Sequence, residues 1–256
     1  MKAHAKINIF LKILALDKNN YHILNSRFLL FDELYDELCL VHRVNDTIKP
    51  FELISNIDIK DNIVFKVYEI LSQIGYKKDL DIFFKDRALK LIKNIPSFAG
   101  LGGASSDAAC FLKMLNEELN LKLSLEKLYK IGKNIGSDVN FFLSGYKSAN
   151  VEGIGEKIYE YDDEIPKISL IYPNIECSTI KVYEAFDNTK HDLFQNKKDA
   201  NNFKKLSSKA LLDRFENTKL NDLLAPCIKI YPKMLAYIKD DSFLSGSGST
   251  LYEVRI

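Results

Sequence analysis

From Ala3 to Ile13 the side chains fall into two interleaved sets: Ala3, Ala5, Ile7, Ile9, Leu11 and Ile13 on one face, His4, Lys6, Asn8, Phe10 and Lys12 on the other. A period of two held that long predicts a half-buried strand and commits the chain to a sheet. Shorter runs of strand character stand at Phe28–Phe31, Leu38–His42, Asp81–Phe84, Ser169–Tyr172 and Leu251–Val254. Helical spacing appears at Asn62–Ile74, Ser106–Leu119, Ser124–Ile135 and Pro226–Ile238, with Ser124 placed to cap its helix and Gly136 to stop it. Strands and helices mix without strict alternation, which predicts an α+β fold rather than a doubly wound sheet. Asp187–Lys204 is polar and rich in Asn and Lys and reads as a loop or mobile surface segment. A boundary near residues 145–165 divides the chain into two halves, and neither repeats nor low-complexity tracts interrupt it.

Charge removes some functions. Lys and Arg number 36 and Asp and Glu 35, a formal net charge of +1. So even a balance gives no overall field to hold a nucleic-acid backbone, where basic residues must displace counterions. The longest stretch without an ionisable Asp, Glu, Lys or Arg is Asn94–Ser106, broken by a Pro and three Gly, too short to cross a bilayer. Met1–Lys12 has no long apolar core ahead of a small-residue cleavage site, so a cytoplasmic protein is expected. Cys39, Cys110, Cys177 and Cys227 are far apart, form no CxxC pair and read as reduced thiols.

Glycine is scarce: 11 in 256 residues, where the usual ~7% would give about 18. A chain that avoids glycine keeps it where the backbone requires it, and clusters remain at Gly100–Gly103, Gly153–Gly155 and Gly246–Gly248. The first lies in Pro96, Ser97, Phe98, Ala99, Gly100, Leu101, Gly102, Gly103, Ala104, Ser105 and Ser106, which feed a helix with Ala108, Leu112, Leu115 and Leu119 on its apolar side. Such a loop gathers unpaired N–H groups at the positive end of a helix dipole, a site for phosphate, and Ser105 and Ser106 add hydroxyls for phosphate or Mg²⁺. A tight loop that merely caps a helix is the plainer alternative. The common phosphate motifs are absent: no Lys follows the glycines as in a P-loop, Ser105 stands where a dinucleotide fingerprint needs its third Gly, and the protein-kinase set is missing.

The loop does resemble the second motif of the GHMP kinase superfamily, and its Gly-Leu-Gly-Gly-x-Ser-Ser-Asp-Ala-Ala form is similar to the 4-diphosphocytidyl-2-C-methyl-D-erythritol kinase branch. Other segments agree in order: Ala5-Lys6-Ile7-Asn8, Asn20-Tyr21-His22, Asp61-Asn62, Ile135-Gly136-Ser137-Asp138-Val139, Glu152-Gly153-Ile154-Gly155, Asn221-Asp222-Leu223 with Tyr231-Pro232, and Ser245-Gly246-Ser247-Gly248-Ser249, which resembles the third motif. The chain departs from the branch at His4 for Pro, Asn20 for Gly, Ala104 for a third Gly and Ser249 for a small residue or Pro. The resemblance implies a two-domain α+β GHMP kinase fold, 1–150 carrying the phosphate loop and 151–256 the second domain, with the active site in the cleft between them.

On the residues alone, Lys6 is either a solvated edge charge or a functional ammonium, and Asp138 either an N-cap or a functional carboxylate. The resemblance implies that the two meet at the γ-phosphate of ATP, Asp138 orienting and deprotonating the substrate hydroxyl while Lys6 offsets charge. It implies further that Tyr21 and Tyr183 sandwich a cytosine, that His22 bonds the base edge, that Phe28 lines the pocket and that Asn8 contacts the polar part of the substrate. Phe28 and Tyr183 also fit ordinary core positions, while His4, His42 and His191 read as structural or surface residues. The implied activity is transfer of the ATP γ-phosphate to the 2-hydroxyl of 4-diphosphocytidyl-2-C-methyl-D-erythritol in non-mevalonate isoprenoid synthesis, with Mg²⁺ arriving on the nucleotide and no permanent metal site. A homoserine-, mevalonate- or galactose-type kinase is the nearest alternative, and Tyr21-His22 and Asp107 favour the cytidyl branch. A nucleotide-binding regulator without turnover would be expected to lack Lys6 or Asp138, and both are present.

Overall fold

The computed structural model describes residues 1–44, 51–58 and 62–255. They form two compact units interleaved along the chain. The first comprises Met1–Ala5, Phe31–Pro96 and Gly103–Gly145, the second Lys6–Leu30, Ser97–Gly102 and Tyr146–Ile256. Two long strands, β1 (Lys2–Leu16) and β2 (His22–His42), contribute residues to both, so no single cut along the chain separates the units.

In the first unit the end of β2 pairs antiparallel with β4 (Arg87–Ile92), Glu37 facing Ile92 and His42 facing Arg87, and β3 (Glu52–Ser55) runs parallel to β4. The helices are α1 (Val64–Leu71), a π turn at Ser72–Tyr76, α2 (Lys77–Phe83), α3 (Gly103–Glu118), α4 (Leu125–Ile135) and α5 (Val139–Ser144). Their core is aromatic: the Phe51 ring lies 4.7 Å from Phe84 and 5.5 Å from Phe111, offset contacts that add to simple burial. Asn62 Oδ1 accepts from Val64 N at the start of α1, while Asp61 lies outside the described residues. Ser124 caps α4 as expected, accepting from Lys127 N, and Gly136 follows its last turn.

The second unit pairs the start of β2 with β5 (Ser148–Gly153), and β5 with β6 (Lys157–Glu160) in a hairpin whose turn holds the Gly153–Gly155 cluster. A separate sheet, in the order β7 (Ile168–Ile171), β9 (Leu251–Val254), β8 (Ser242–Leu244), is antiparallel throughout. Around it stand α6 (Thr179–Asp187), α7 (Leu193–Phe203), α8 (Ser208–Arg214), α9 (Asn217–Leu220) and α10 (Leu224–Ile230).

Several sequence expectations are corrected. β1 is buried on both faces, with Lys6, Asn8 and Lys12 all under 5% exposed; alternation reported a strand, but its polar face meets protein groups, not water. Asp81–Phe84 is not a strand but overlaps the end of α2, where Lys77 and Asp81 form an i,i+4 ion pair. Asp187–Lys204 contains helix α7, capped by Asp192, which accepts from Gln195 N. Pro226–Ile238 is not one helix: α10 stops at Ile230 and a 3₁₀ turn resumes at Pro232–Ala236, because the proline ring disfavours helical geometry before it.

Candidate active site

The second unit draws Lys6, the first half of the glycine loop and the Ser245–Ser249 turn together. Strand alternation sends Lys6 and Asn8 to the same face. The Lys6 ammonium donates to Asn8 Oδ1 at 2.7 Å and to the Gly100 carbonyl at 3.0 Å, and lies 4.7 Å from the centre of the Phe28 ring. The Asn8 amide donates to Ser26 Oγ at 3.0 Å, and its backbone N–H to Ser245 Oγ. Ser245 Oγ in turn donates to the Gly100 carbonyl. Three successive loop carbonyls are thereby engaged by the protein: Ala99 by Thr250 N, Gly100 by Lys6 and Ser245, Leu101 by Lys6 N. Gly100 has φ +74°, and a Cβ there would stand 2.2 Å from the Ser245 carbonyl oxygen, so only glycine allows this close approach. Asn221 holds the far side of the contact, donating to the carbonyls of Leu244 and Gly246.

In the first unit, α3 begins at Gly103, where a Cβ would meet Ile95 Cγ2 at 2.9 Å. Its first-turn amides have no partners within the helix, and Ala104 and Ser105 line that exposed or half-buried end while Ser106 is buried. Beneath lies a cluster not singled out in the sequence. Lys93 Nζ donates to Asp36 and, at 2.6 Å, to Asp107 Oδ2, while Asp36 also accepts from the N–H groups of Asn94 and Ile95. One ammonium serves two buried carboxylates, and burial pushes the Asp107 carboxyl up to about 7, Lys93 opposing and Asp36 reinforcing the shift. An unfolded Asp titrates near ~3.9, so between pH ~4 and ~7 the folded state holds a proton that the unfolded chain has lost. Stability from this group is therefore complete below pH ~4 and is lost as pH rises through ~7. We expect Asp107→Asn to flatten that part of the urea-midpoint profile relative to the parent protein. Parallel profiles from pH 4.5 to 8 would contradict it.

Asp138 occupies the N-cap position of α5, yet its side chain makes no capping hydrogen bond. The residue is half-buried, and its carboxylate does not serve α5 as a cap. Gly136, two residues earlier, keeps room beside Ser105 Oγ, which a Cβ there would approach to 3.5 Å.

The aromatic residues sort differently. The turn between β1 and β2 is built by Asp17, whose carboxylate accepts from the N–H groups of Asn19 and Tyr21. Asn20 takes φ +63° there, which explains how Asn replaces the family's Gly: after glycine it tolerates this region best. Tyr21 is 59% exposed, a ring face open at the turn. His22 packs 4.6 Å from the Tyr183 ring, and its Nε2 bonds Asp187 Oδ1 at 2.7 Å. Phe28 is buried under the Lys6 ammonium. The α6 helix carrying Tyr183 is tied at its start to the serine-glycine turn, Thr179 Oγ1 lying 2.9 Å from Ser247 Oγ.

Sequence reasoning missed Ser26, Asp36, Lys93 and Asp187, each a polar partner separated along the chain from the residue it holds. The Cys177 and Cys227 sulfurs lie 3.8 Å apart as free thiols, and Cys39 is exposed. Among the described residues no group of three or more His, Cys, Asp or Glu could hold a metal ion, and no helix is long and apolar enough to cross a membrane.

Residues 62–146 match the family described as GHMP kinases N terminal domain. A 4-diphosphocytidyl-2-C-methyl-D-erythritol kinase of Campylobacter jejuni subsp. jejuni (serotype O:6) is 50% identical over 99% of this chain and 99% of its own. One of Sulfurimonas denitrificans is 42% identical over 99% and 96% respectively. The crystal structure of a 4-(cytidine 5'-diphospho)-2C-methyl-D-erythritol kinase superposes with a TM-score of 0.71 at 24% identity, covering 99% of this chain and 89% of that one. A mevalonate kinase superposes with a TM-score of 0.66 at 12% identity, over 100% and 91%. At those identities the two structures speak to the α+β GHMP kinase fold alone. The relatives carry the rest: identical at half of its positions and alignable from end to end, this chain belongs to the 4-diphosphocytidyl-2-C-methyl-D-erythritol kinase family.

Proposed function

We propose that this chain transfers the γ-phosphate of ATP to the 2-hydroxyl of 4-diphosphocytidyl-2-C-methyl-D-erythritol, in the cytoplasm, as a step of non-mevalonate isoprenoid precursor synthesis. The observation that carries the reading is the Gly100 junction, where a loop carbonyl is held by both Lys6 and Ser245 and no side chain fits. Turning carbonyls into the protein leaves the opposite, N–H edge of the loop for an anion, which is what a triphosphate requires. Pro96–Ser106 is the ATP-binding segment in this reading. Residues 1–150 and 151–256 are its two family domains, a division by sequence that differs from the compact units.

Phosphoryl transfer needs positioning and charge neutralisation more than covalent chemistry. Asp138 accepts the proton of the attacking hydroxyl. Lys6, held by Asn8, places its charge where negative charge is redistributed on the transferring group. Asn8 gives one amide hydrogen to Ser26, and the second is directed at the polar part of the substrate. Tyr21 and Tyr183 supply faces for cytosine, His22 bonds its edge, and Phe28 closes the pocket floor. Ser105 and Ser106 fit a nucleotide-borne Mg²⁺, which supplies neutralisation of the phosphate oxygens when bound.

The test is ADP formation by the purified chain with ATP, Mg²⁺ and, in parallel, the cytidyl alcohol, homoserine and mevalonate. Saturable turnover is expected with the cytidyl alcohol alone. Turnover confined to homoserine or mevalonate would assign the chain a different acceptor.

A further inference from the structure

The last turns of α6 close on a single ring. Tyr183, Phe186 and Asp187 stand at i, i+3 and i+4 and share a helix face, and all three address His22. The Tyr183 ring is 4.6 Å away at 44°, the Phe186 ring 6.1 Å away at 81°, and Asp187 Oδ1 is 2.7 Å from Nε2. The His22 side chain is 14% exposed and that of Asp187 44%, so the ring is held between aromatics while the carboxylate reaches it from the rim. Asp187 is the final residue of its helix, an end where the dipole disfavours negative charge. Propensity does not account for a carboxylate at this position, whereas the bond to His22 does.

An ionised carboxylate only accepts hydrogen bonds. Its partner Nε2 must therefore carry the hydrogen, and a neutral imidazole with hydrogen on Nε2 has a lone pair on Nδ1. Among the described residues no protein group bonds Nδ1. A lone pair in a fixed direction distinguishes the two pyrimidines that share a shape: cytosine presents an amino donor at C4, whereas uracil and thymine present a carbonyl acceptor there. An acceptor aimed at an acceptor leaves both unpaired, the arrangement by which hydrogen-bonding sites reject near-isosteres most strongly.

We propose that Asp187 is a positioning residue which fixes His22 as the Nε2–H tautomer, so that Nδ1 selects an amino-pyrimidine over an oxo-pyrimidine. The inference rests on the reading of His22 as the group at the base edge, and it adds the residue that sets what His22 can recognise.

The test has two arms on the full-length chain. In the first, long-range ¹⁵N–¹H spectra of histidine-labelled protein report the ring tautomer, the His22 signals being identified by their absence in His22→Asn. The parent protein is expected to show hydrogen on Nε2, and Asp187→Ala a mixture. In the second, kcat and KM are measured for the cytidyl substrate and its uridyl counterpart. The parent is expected to prefer the cytidyl form by ~10²-fold in kcat/KM. In Asp187→Ala the cytidyl KM should rise about tenfold with the loss falling on KM rather than kcat, and the preference should collapse to a few-fold. Asp187→Asn, whose amide can accept from Nε2 or donate to it, should recover part of the KM but not the preference, which a merely structural side chain would not separate. Hydrogen on Nδ1 in the parent protein, or an unchanged cytidyl preference in Asp187→Ala or Asp187→Asn, overturns the proposal while leaving a cytidyl kinase standing. If neither pyrimidine substrate is turned over but another alcohol is, the reading of the site falls, and this inference with it.

Discussion

Asp138→Ala is expected to lower kcat by ~10²–10⁴-fold, the usual worth of a positioned general base, while the Kd for ATP changes by no more than a few-fold. The carboxylate sits where an N-cap would, on the short α5, without capping it, so its removal costs the helix little and the reaction much. Lys6→Ala should lose turnover on the same scale. Its ammonium is 4% exposed as a residue and shared between Asn8 and the Gly100 carbonyl. Ser245 Oγ holds that same carbonyl, so the loop keeps one of its two anchors and ATP still binds. Because the two residues are proposed to act on one hydroxyl, the double variant should be scarcely slower than either single one. Single-turnover rates with calorimetric ATP affinities test this. Either single variant turning over at near the parental rate would take that residue out of the chemistry.

The largest effect on stability is expected from Asp163→Ala. The side chains of Arg27 and Asp163 are both fully buried and paired at 3.2 Å. The guanidinium also donates to Asn150 Oδ1 and to the carbonyls of Lys204 and Leu206, and lies 3.4 Å from the Tyr161 ring centre. Asp163 further accepts from Ser148 and Ser208. Removing the carboxylate leaves a buried cation without its counter-charge, a change that costs about 3–5 kcal/mol. Urea unfolding should show the loss as a lower midpoint at unchanged slope. Arg27→Met combined with Asp163→Ala should recover part of it, since no charge is then stranded. A single variant within about 1 kcal/mol of the parent would mean that the Asn150 oxygen and the Lys204 and Leu206 carbonyls, which remain on Arg27, hold this corner without the ion pair.

Much of the fold could be read ahead of the structure where one period dominated. β1, α3, α4 and β9 stand close to where alternation or helical spacing put them. What alternation could not report is what covers a polar face: Lys6 and Asn8 read equally well against water, and only Ser26, Gly100 and Ser245, brought in from distant segments, make them interior groups. Asp81–Phe84 is four residues long, too short for a period to declare itself, and the pairing of Asp81 with Lys77 carried the helical signal instead. α7 was hidden by composition, since only Asp199, Ala200 and Phe203 of it are buried. Its start was nevertheless written in Asp192 and Gln195, an acidic cap with glutamine three residues on. The site divides the same way. The glycine loop is visible as a local pattern, Lys6 and Asp138 stand out only through the family resemblance, and Asp36, Lys93 and Asp187 act across sequence gaps through bonds that no spacing rule records.

The interleaving of the two units has a consequence for how such genes can be shuffled. Leu24–Leu29 bonds to Ser148–Gly153, and Arg27 within it meets Asn150 and Asp163. Backbone ladders accept almost any parentage, but a buried cation does not accept a stranger's apolar side chain. Recombination between diverged relatives in mid-gene thus delivers an arginine from one ancestor to a cavity furnished by another, and descent should keep those three positions travelling together.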